Sequence, residues 1–451
     1  MKIMLIFAKI DLYEMIRSGK LLPYIAAVAS ALILAVSCSD DNEDFSIKEK
    51  ETPSSRTPSD RHIVEKGQNL MLLYSAGYNT LSTYLQADIK ELAESWLPGS
   101  SPYDNILLVF SRHTKGNQSN FTDPVKPVLE RIYRKRDDTV VRDTLNVPGI
   151  TESTIASDAG TLNLVLKYIK DNFNASSYGM VFSSHATGWL PKGYYTRALG
   201  TRSHLHRMPP QGGLMTKTIG EEHTSPSYEI DVSAFASAFP DGMDFDYILF
   251  DACLMGCVEV AYELRDACRQ VAFSQAEVLA EGFDYTTLST RLLKGETPDI
   301  EGVCKDFYDL YNSKTGEEHS ATISLVNTSK MERLAAVCRD LFSKYRSAIS
   351  ALDYTKVQGY FGGSSRWFFD LEDILVKAGI TQEEKAALDG ALSECITYKG
   401  CTGQYYSAID YSVHTVDSFC GLSMYLPACG NAYLNNYYKG YLWNDATGLV
   451  Q

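Results

Sequence analysis

The sequence predicts an α/β protein built on a mostly parallel sheet with helices on both faces. Three observations carry that expectation: short apolar runs of strand length recur, they alternate with stretches of helical apolar spacing, and polar turn residues separate the two. A continuous apolar run marks a strand covered on both faces, as in parallel sheets, whereas a half-wetted strand alternates apolar and polar residues.

The first such run is Asn69 to Ser75 (NLMLLYS), closed by Gly77, and Leu81 to Leu92 follows it with helical spacing. Ile106 to Ser111 (ILLVFS) reads as a second buried strand, Val140 to Val147 as a small hairpin and Thr161 to Phe173 as an amphipathic helix. Tyr178 to Ser183 (YGMVFS), Tyr247 to Asp251 (YILFD), Val271 to Ser274 and Thr322 to Val326 add further strands. Beyond Asn327, the helix-like stretches Ser329 to Arg346 and Thr381 to Leu392 flank a Gly- and aromatic-rich segment from Gln358 to Asp370. The tail from Gly403 to Tyr441 is dense in Tyr, which reads mostly as packing surface. These patterns divide the chain into a core over residues 67–330 and a C-terminal extension, 331–451, packed on that core.

A chain of 451 residues with 45% hydrophobic and 22% charged content has room for a large core. Its formal net charge of −14 and pI near 5.1 argue against a nucleic-acid partner, which needs a basic surface to displace phosphate counterions. Basic peptides suit that balance better.

The N-terminus reads as an export signal. Arg17 and Lys20 precede an apolar run from Leu21 to Val36, shorter than a membrane span and suited to a secretory segment. The stretch ahead of Met15 is long for such a signal and suggests translation from Met15. Ala35-Val36-Ser37-Cys38 resembles a bacterial lipobox, with Ala35 where Leu is commonest, and implies acylation at Cys38. The acidic run Ser39 to Asp44 resembles the surface-export signal of some Gram-negative lipoproteins. Residues 1–38 are thus expected to be signal and lipobox, with an outer-membrane, surface-exposed location. Residues 39–66, rich in Ser, Thr, Pro, Asp and Glu, read as a tether. The competing reading of Cys38 is a small residue closing an uncleaved anchor.

The other cysteines, Cys253, Cys257, Cys268, Cys304, Cys338, Cys395, Cys401, Cys420 and Cys429, form no CxxC pair and have no His at metal spacing. No metal site or cofactor is expected. In an oxidising location some could pair, and their odd number leaves at least one thiol.

Functional groups in parallel sheets gather at the carboxyl ends of strands. Two strands end on chemistry: YGMVFS leads into Ser184-His185-Ala186-Thr187-Gly188-Trp189, and YILFD into Asp251-Ala252-Cys253-Leu254-Met255-Gly256-Cys257. If the strands are neighbours, His185 and Cys253 meet as base and nucleophile. Leu254 to Arg269 reads as a helix, which would place Cys253 at a helix N-terminus whose amides favour thiolate and hold an oxyanion. Cys257, one turn on, is the rival nucleophile and is expected to face the core. Taken alone, a cysteine at a strand end is more often buried structure than nucleophile, and Asp251 could equally cap the helix.

Strand-Ser-His-x-x-Gly-Trp followed by strand-Asp-Ala-Cys-Leu-Met-Gly-x-Val-Glu-Val-Ala-Tyr-Glu-Leu resembles the clostripain family of cysteine peptidases, in the clan of caspases, gingipains and legumain. The likeness runs from about Asn69 to the C-terminus and includes Gly421 to Pro427. It implies a caspase-like α/β/α sandwich and endopeptidase activity on peptide or protein substrates. His185 would protonate the leaving amine and Cys253 would attack the carbonyl. The main-chain amides of Ala186 and Cys253 would hold the oxyanion. Asp251 would line the pocket for the side chain before the scissile bond, favouring Arg or Lys. Two departures stand out. Ala186 replaces a common Gly, and Ser274 to Tyr285 lacks the Pro-Gly-rich signature, which leaves Glu277, Glu281 or Asp284 open as a second pocket carboxylate.

The connection from Trp189 to about Tyr228 carries Lys192, Arg197, Arg202, Arg207 and Lys217. A loop of that length is functional or disordered, and in an enzyme that cuts after basic residues it is a candidate for activating self-cleavage. The competing function is a non-enzymatic surface lipoprotein of the same fold that binds peptide, glycan or an envelope partner. A serine hydrolase lacks its GxSxG elbow, a metallopeptidase its HExxH, and papain-like enzymes place Cys before His.

Overall fold

The computed structural model describes residues 68–115, 124–194, 214–217, 229–361 and 366–451. The signal, lipobox and tether, and Arg197, Arg202 and Arg207 of the long connection, lie outside the described residues. Residues Val64–Gln451 form one compact unit.

Its centre is a sheet of nine strands: β1 (Asn69–Gly77), β2 (Ile106–His113), β3 (Val128–Arg134), β4 (Val140–Leu145), β5 (Ser177–Ser183), β6 (Phe245–Asp251), β7 (Cys268–Phe273), β8 (Thr322–Asn327) and, skipping the short β9 (Phe369–Asp370), β10 (Ile396–Cys401). The spatial order is β10-β8-β7-β6-β5-β1-β2-β3-β4. The five central strands run parallel, and the pairs beyond them on each side are antiparallel. The fold is therefore α/β and caspase-like, with a parallel heart. Every residue of β1 and β2 is buried, as their unbroken apolar runs require. Edge strand β4 is half wetted and carries Arg142 and Asp143 outward.

Four helices of eight or more residues have sequence counterparts, and two of them open on side-chain caps. Ser82–Glu94 and Ala159–Asn172 each follow a strand, and Asp158 caps the second by accepting from the Thr161 amide. Met331–Ser350 packs on Gln382–Cys395, which opens with a Thr381–Glu384 capping box. The hairpin expected over 140–147 is only one arm, since its partner is β3, Val128–Arg134. The extension is not a separate body: β10 pairs with β8 and completes the sheet.

The helix expected from Leu254 to Arg269 is not there. Only Val258–Glu263 is helical, and Cys268 already begins β7. After β6 the Leu254 amide donates to Ala276 O and the Gly256 amide to Ser274 O, while Cys257 bridges Ser423 in parallel. These sheet-like partners replace the i to i−4 bonds a helix needs. Leu254 takes a φ of 63°, a left-handed conformation costly for a branched side chain, directly after Cys253.

Aromatic residues of the tail fix the loop that follows β5. Trp189 is fully buried, its ring 4.6 Å from Tyr425 and 5.4 Å from Tyr438, and its indole N–H donates to Trp367 O at 3.2 Å. Tyr441 donates to the Trp189 carbonyl at 2.6 Å. Beneath them lies Glu259, fully buried, accepting from the Tyr425 amide at 2.9 Å and the Tyr438 hydroxyl at 2.5 Å.

Burial pushes the Glu259 carboxyl up to about 7, against the donors that favour its charge. The folded chain therefore keeps this proton to higher pH than the unfolded one, so stability falls as pH rises from about 4.5 to about 7. Glu259→Gln removes that contribution while keeping an acceptor for Tyr438. Melting temperatures between pH 4.5 and 8 should fall less steeply for the variant than for wild type; parallel curves would refute the account.

Candidate active site

Strands β5 and β6 are hydrogen-bonded neighbours with Ser183 opposite Asp251. His185 and Cys253 each lie two residues beyond that pair, so both emerge at the same carboxyl edge of the sheet. Both are buried, at 7% and 0% exposure. The ring Nε2 of His185 pairs with Thr80 Oγ1 at 2.9 Å, from the loop after β1. The Cys253 sulfur receives the Val278 amide at 3.0 Å. No helix begins at Cys253, so the amide facing the sulfur comes from the segment after β7.

The loop around His185 is held close to the cysteine turn. Gly188 has a φ of 55°, and a Cβ there would lie 2.4 Å from Leu254 O. Cys257, the rival thiol, is fully buried, and burial followed by the charge of Glu259 holds it well above the usual thiol range. It faces the core.

What covers the site is a short piece of the long connection, residues 214–217. It lies antiparallel to residues 278–280: the Lys217 amide donates to Val278 O at 2.8 Å, the Ala280 amide donates to Met215 O at 2.9 Å, and Thr216 bridges Leu279. The Lys217 carbonyl in turn accepts from the Ala186 amide at 3.2 Å. One carbonyl thus rests against the amide that follows His185, while its own amide is held by the residue that contacts Cys253.

The Lys217 side chain runs into the interior and is wholly buried. Its ammonium is ion-paired to Asp251 Oδ2, donates to Ser183 Oγ at 3.2 Å and stands 3.7 Å from Asp88 Oδ2. Burial works to neutralise the ammonium, but Asp251 first and Asp88 next outweigh it and hold Lys217 above the usual lysine range. Asp88, on the helix Ser82–Glu94, is lifted above the usual carboxylate range by burial, although Lys217 opposes this. The ion pair therefore belongs to Asp251, the carboxylate in contact. Tyr285 donates to Asp251 at 2.8 Å, and Tyr311 donates to Gly282 O at 2.8 Å. Gly282, at φ 66°, is obligatory: a Cβ would sit 2.6 Å from the Lys217 nitrogen and 2.3 Å from Asp251 Oδ1.

The three carboxylates left open by the sequence go to different places. Glu277 is buried and meets Thr216 instead of Lys217, accepting from Thr216 Oγ1 at 2.8 Å. Asp284 caps the helix Tyr285–Ser289 by accepting from the Thr286 amide at 3.0 Å. Glu281 is exposed. The second acid beside the ammonium is Asp88, more than a hundred residues from Asp251 in the chain, and its helical pattern gave no sign of it. Its one sequence signal is being a charged residue on the helix face that Leu85, Ile89 and Leu92 bury. A small, mostly apolar recess, lined in part by Ala186, Phe235, Phe250 and Met255, opens beside His185. The charged recess is the one that Lys217 fills.

Comparisons with known proteins identify the family and the fold. The clostripain family model (Peptidase_C11) matches residues 73–445. Among solved structures, an inactive zymogen C11 protease from Parabacteroides distasonis is 26% identical with a TM-score of 0.67, covering 84% of this chain and 97% of that one. A secreted C11 cysteine protease from Bacteroides thetaiotaomicron, in complex with an irreversible peptide inhibitor, is 22% identical with a TM-score of 0.66, covering 84% of this chain and 99% of that one. A comparison with curated protein sequences found no match. With the family model spanning most of its length, this chain belongs to the clostripain family and is a cysteine endopeptidase.

Proposed function

We propose that the chain is a self-inhibited precursor of an endopeptidase that cuts after lysine or arginine, and that its first substrate is its own Lys217–Thr218 bond. The observation that carries this reading is the pose of Lys217. Its carbonyl oxygen accepts from the Ala186 amide while its ammonium is paired with Asp251 at the floor of a closed pocket. The Parabacteroides relative is described as an inactive zymogen, and we read this chain as folding in the same kind of state.

The residues divide the chemistry as follows. The Cys253 sulfur, as thiolate, attacks the Lys217 carbonyl carbon, and the carbonyl oxygen takes up negative charge against the Ala186 amide. The backbone amide of Cys253 is the second candidate donor. As the tetrahedral centre collapses, the C–N bond to Thr218 breaks and His185 delivers a proton to the departing amine. Thr80 holds the ring for this through Nε2. Water, deprotonated by His185, then hydrolyses the thioester, leaving a carboxylate on Lys217 and restoring the thiol. Substrates follow the same course once the inhibitory strand leaves, with Asp251 and Asp88 receiving their basic side chain. Asp284 is proposed only as the cap that shapes the Gly282 turn; Glu277 lies along the strand, one residue upstream of the basic pocket.

By its Ala35-Val36-Ser37-Cys38 segment, the mature chain is proposed to begin at an acylated Cys38 and to be displayed on the outer surface of a Gram-negative outer membrane. Among the described residues no helix is long and apolar enough to cross a membrane.

Incubated wild-type protein should yield a fragment ending at Lys217 by intact-mass analysis and then hydrolyse fluorogenic Lys and Arg peptides. Cys253→Ala should do neither, and Lys217→Ala should leave the loop whole. An uncut chain with full activity would end the self-cleavage reading, and equal turnover by Cys253→Ala would end the dyad.

Removing one partner of a desolvated ion pair costs 2 to 5 kcal/mol or about that. Asp251→Asn should therefore lower kcat/KM for basic peptides by about two orders of magnitude or more. Asp88→Asn, whose carboxyl stands farther from the ammonium at 3.7 Å, should lower it about tenfold. Equal losses would contradict the assignment of the ion pair to Asp251. Finally, metabolic labelling with a radioactive fatty acid should mark wild type and miss Cys38→Ser; label on both would remove the lipobox.

A further inference from the structure

We infer that the site contains a second selective pocket, which requires a hydroxyl on the residue immediately before the basic one and reads it with Glu277. The inference rests on the proposal that residues 214–217 lie as a substrate does. If Lys217 precedes the cut, Thr216 occupies the next position upstream.

Thr216 is not at the surface, where an antiparallel strand would often leave it; it is 3% exposed, with its hydroxyl 2.8 Å from Glu277 Oε2. The same Oε2 accepts from the Ala408 amide at 2.9 Å, and a backbone N–H can only donate. In the ionised carboxylate that oxygen can only accept, and a group facing it from the substrate side must then be a donor. The other oxygen, Oε1, is bound to Ser407 Oγ. Ser407 Oγ already accepts from the Ile409 amide at 3.2 Å, which leaves its own hydrogen for Glu277. Both carboxylate oxygens thus accept in the ionised form, and Glu277 is 1% exposed.

A buried carboxylate oxygen with one acceptor position turned to the substrate penalises any side chain that cannot donate. Valine has the shape of threonine and lacks only the hydroxyl, so it would occupy the pocket and leave Oε2 one donor short. Sites that hydrogen-bond a substrate hydroxyl reject the apolar isostere far better than apolar pockets reject a change of size. Ser407 and Ala408 belong to the tail, where β11 (Gln404–Ser407) pairs with β12 (Ser412–Thr415). The C-terminal extension therefore supplies two groups that orient Glu277, Ser407 and the Ala408 amide, and with them a specificity that the sheet alone does not provide.

The test uses self-cleaved wild-type protein and three fluorogenic peptides ending in Leu-Met-Thr-Lys, Leu-Met-Ser-Lys and Leu-Met-Val-Lys before the reporter. The threonine peptide should exceed the valine peptide in kcat/KM by about ten- to a hundredfold, with serine above valine. Glu277→Leu should abolish the threonine preference, bringing the threonine and valine rates together. Because Glu277 also braces Ser407 and Ala408, that variant could fail to fold, and the wild-type comparison decides the matter alone. Equal rates on threonine and valine, with turnover lost in Cys253→Ala, would overturn this inference and leave the lysine reading standing. Turnover of none of the three would overturn both.

Discussion

The arrangement depends on one desolvated charge. An ammonium with no exposure to water survives in the interior only if its partners repay the lost hydration, and Asp251, Ser183 and Asp88 surround the Lys217 nitrogen. The converse holds as strongly. Two carboxyl groups, both nearly inaccessible, face the same small space, and without a cation they cannot both stay ionised. The recess is therefore matched to the positive charge that Lys217 places in it. Gly282, Tyr285 and Tyr311 complete it by leaving room, donating to Asp251 and closing the wall.

That charge is aligned with the reactive edge by the sheet. In a parallel pair, residues in register leave their strands together, and the register of Ser183 with Asp251 sets the two catalytic candidates and the pocket acid in one neighbourhood. Ser183 and Asp251 are the last residues of their strands and point into the pocket, while the residues two further on form the edge. The aromatic tail then acts on the same edge from outside. Trp189 is gripped by Tyr425, Tyr438 and Tyr441, so the segment that starts at His185 is pinned at its far end. Packing that looks remote from the chemistry thereby fixes the position of the Ala186 amide.

The sequence made the sheet legible because buried parallel strands are unbroken apolar runs: four of the five match observed strands closely, and Val271 to Ser274 overlaps the second half of β7. The motif at each of two strand ends named His185, Cys253 and Asp251, and the basic residues of the long connection included Lys217. Other parts were hidden for physical reasons. Leu254 to Arg269 has helical apolar spacing because both its loop and its short helix are buried, and burial without period cannot distinguish them. Asp88 belongs to a helix whose pattern speaks only of its own face, and its meeting with Asp251 is a property of the tertiary fold. Glu277 was visible as an acid near the site, but which residue of a bound strand it meets follows from antiparallel register alone.

Hydrolysis of one bond does not by itself empty the pocket. After a cut at Lys217, residues 214–217 keep the same side chains, the same strand pairing and a covalent link through residues 195–213 to the His185 loop. A covalent link of that kind keeps its end near the groove at a high effective concentration, on the order of millimolar. What changes is that the strand is held from one side instead of two, and that a carboxylate replaces a neutral peptide beside the Ala186 amide. The released end can now leave without moving the residues that follow it, and a substrate that supplies both a cation for Asp251 and a hydroxyl for Glu277 competes on equal contacts. In this account, activation is a contest between two similar strands for one groove. The specificity of the mature enzyme and the strength of its own inhibition then rise or fall together, because the same side chains determine both.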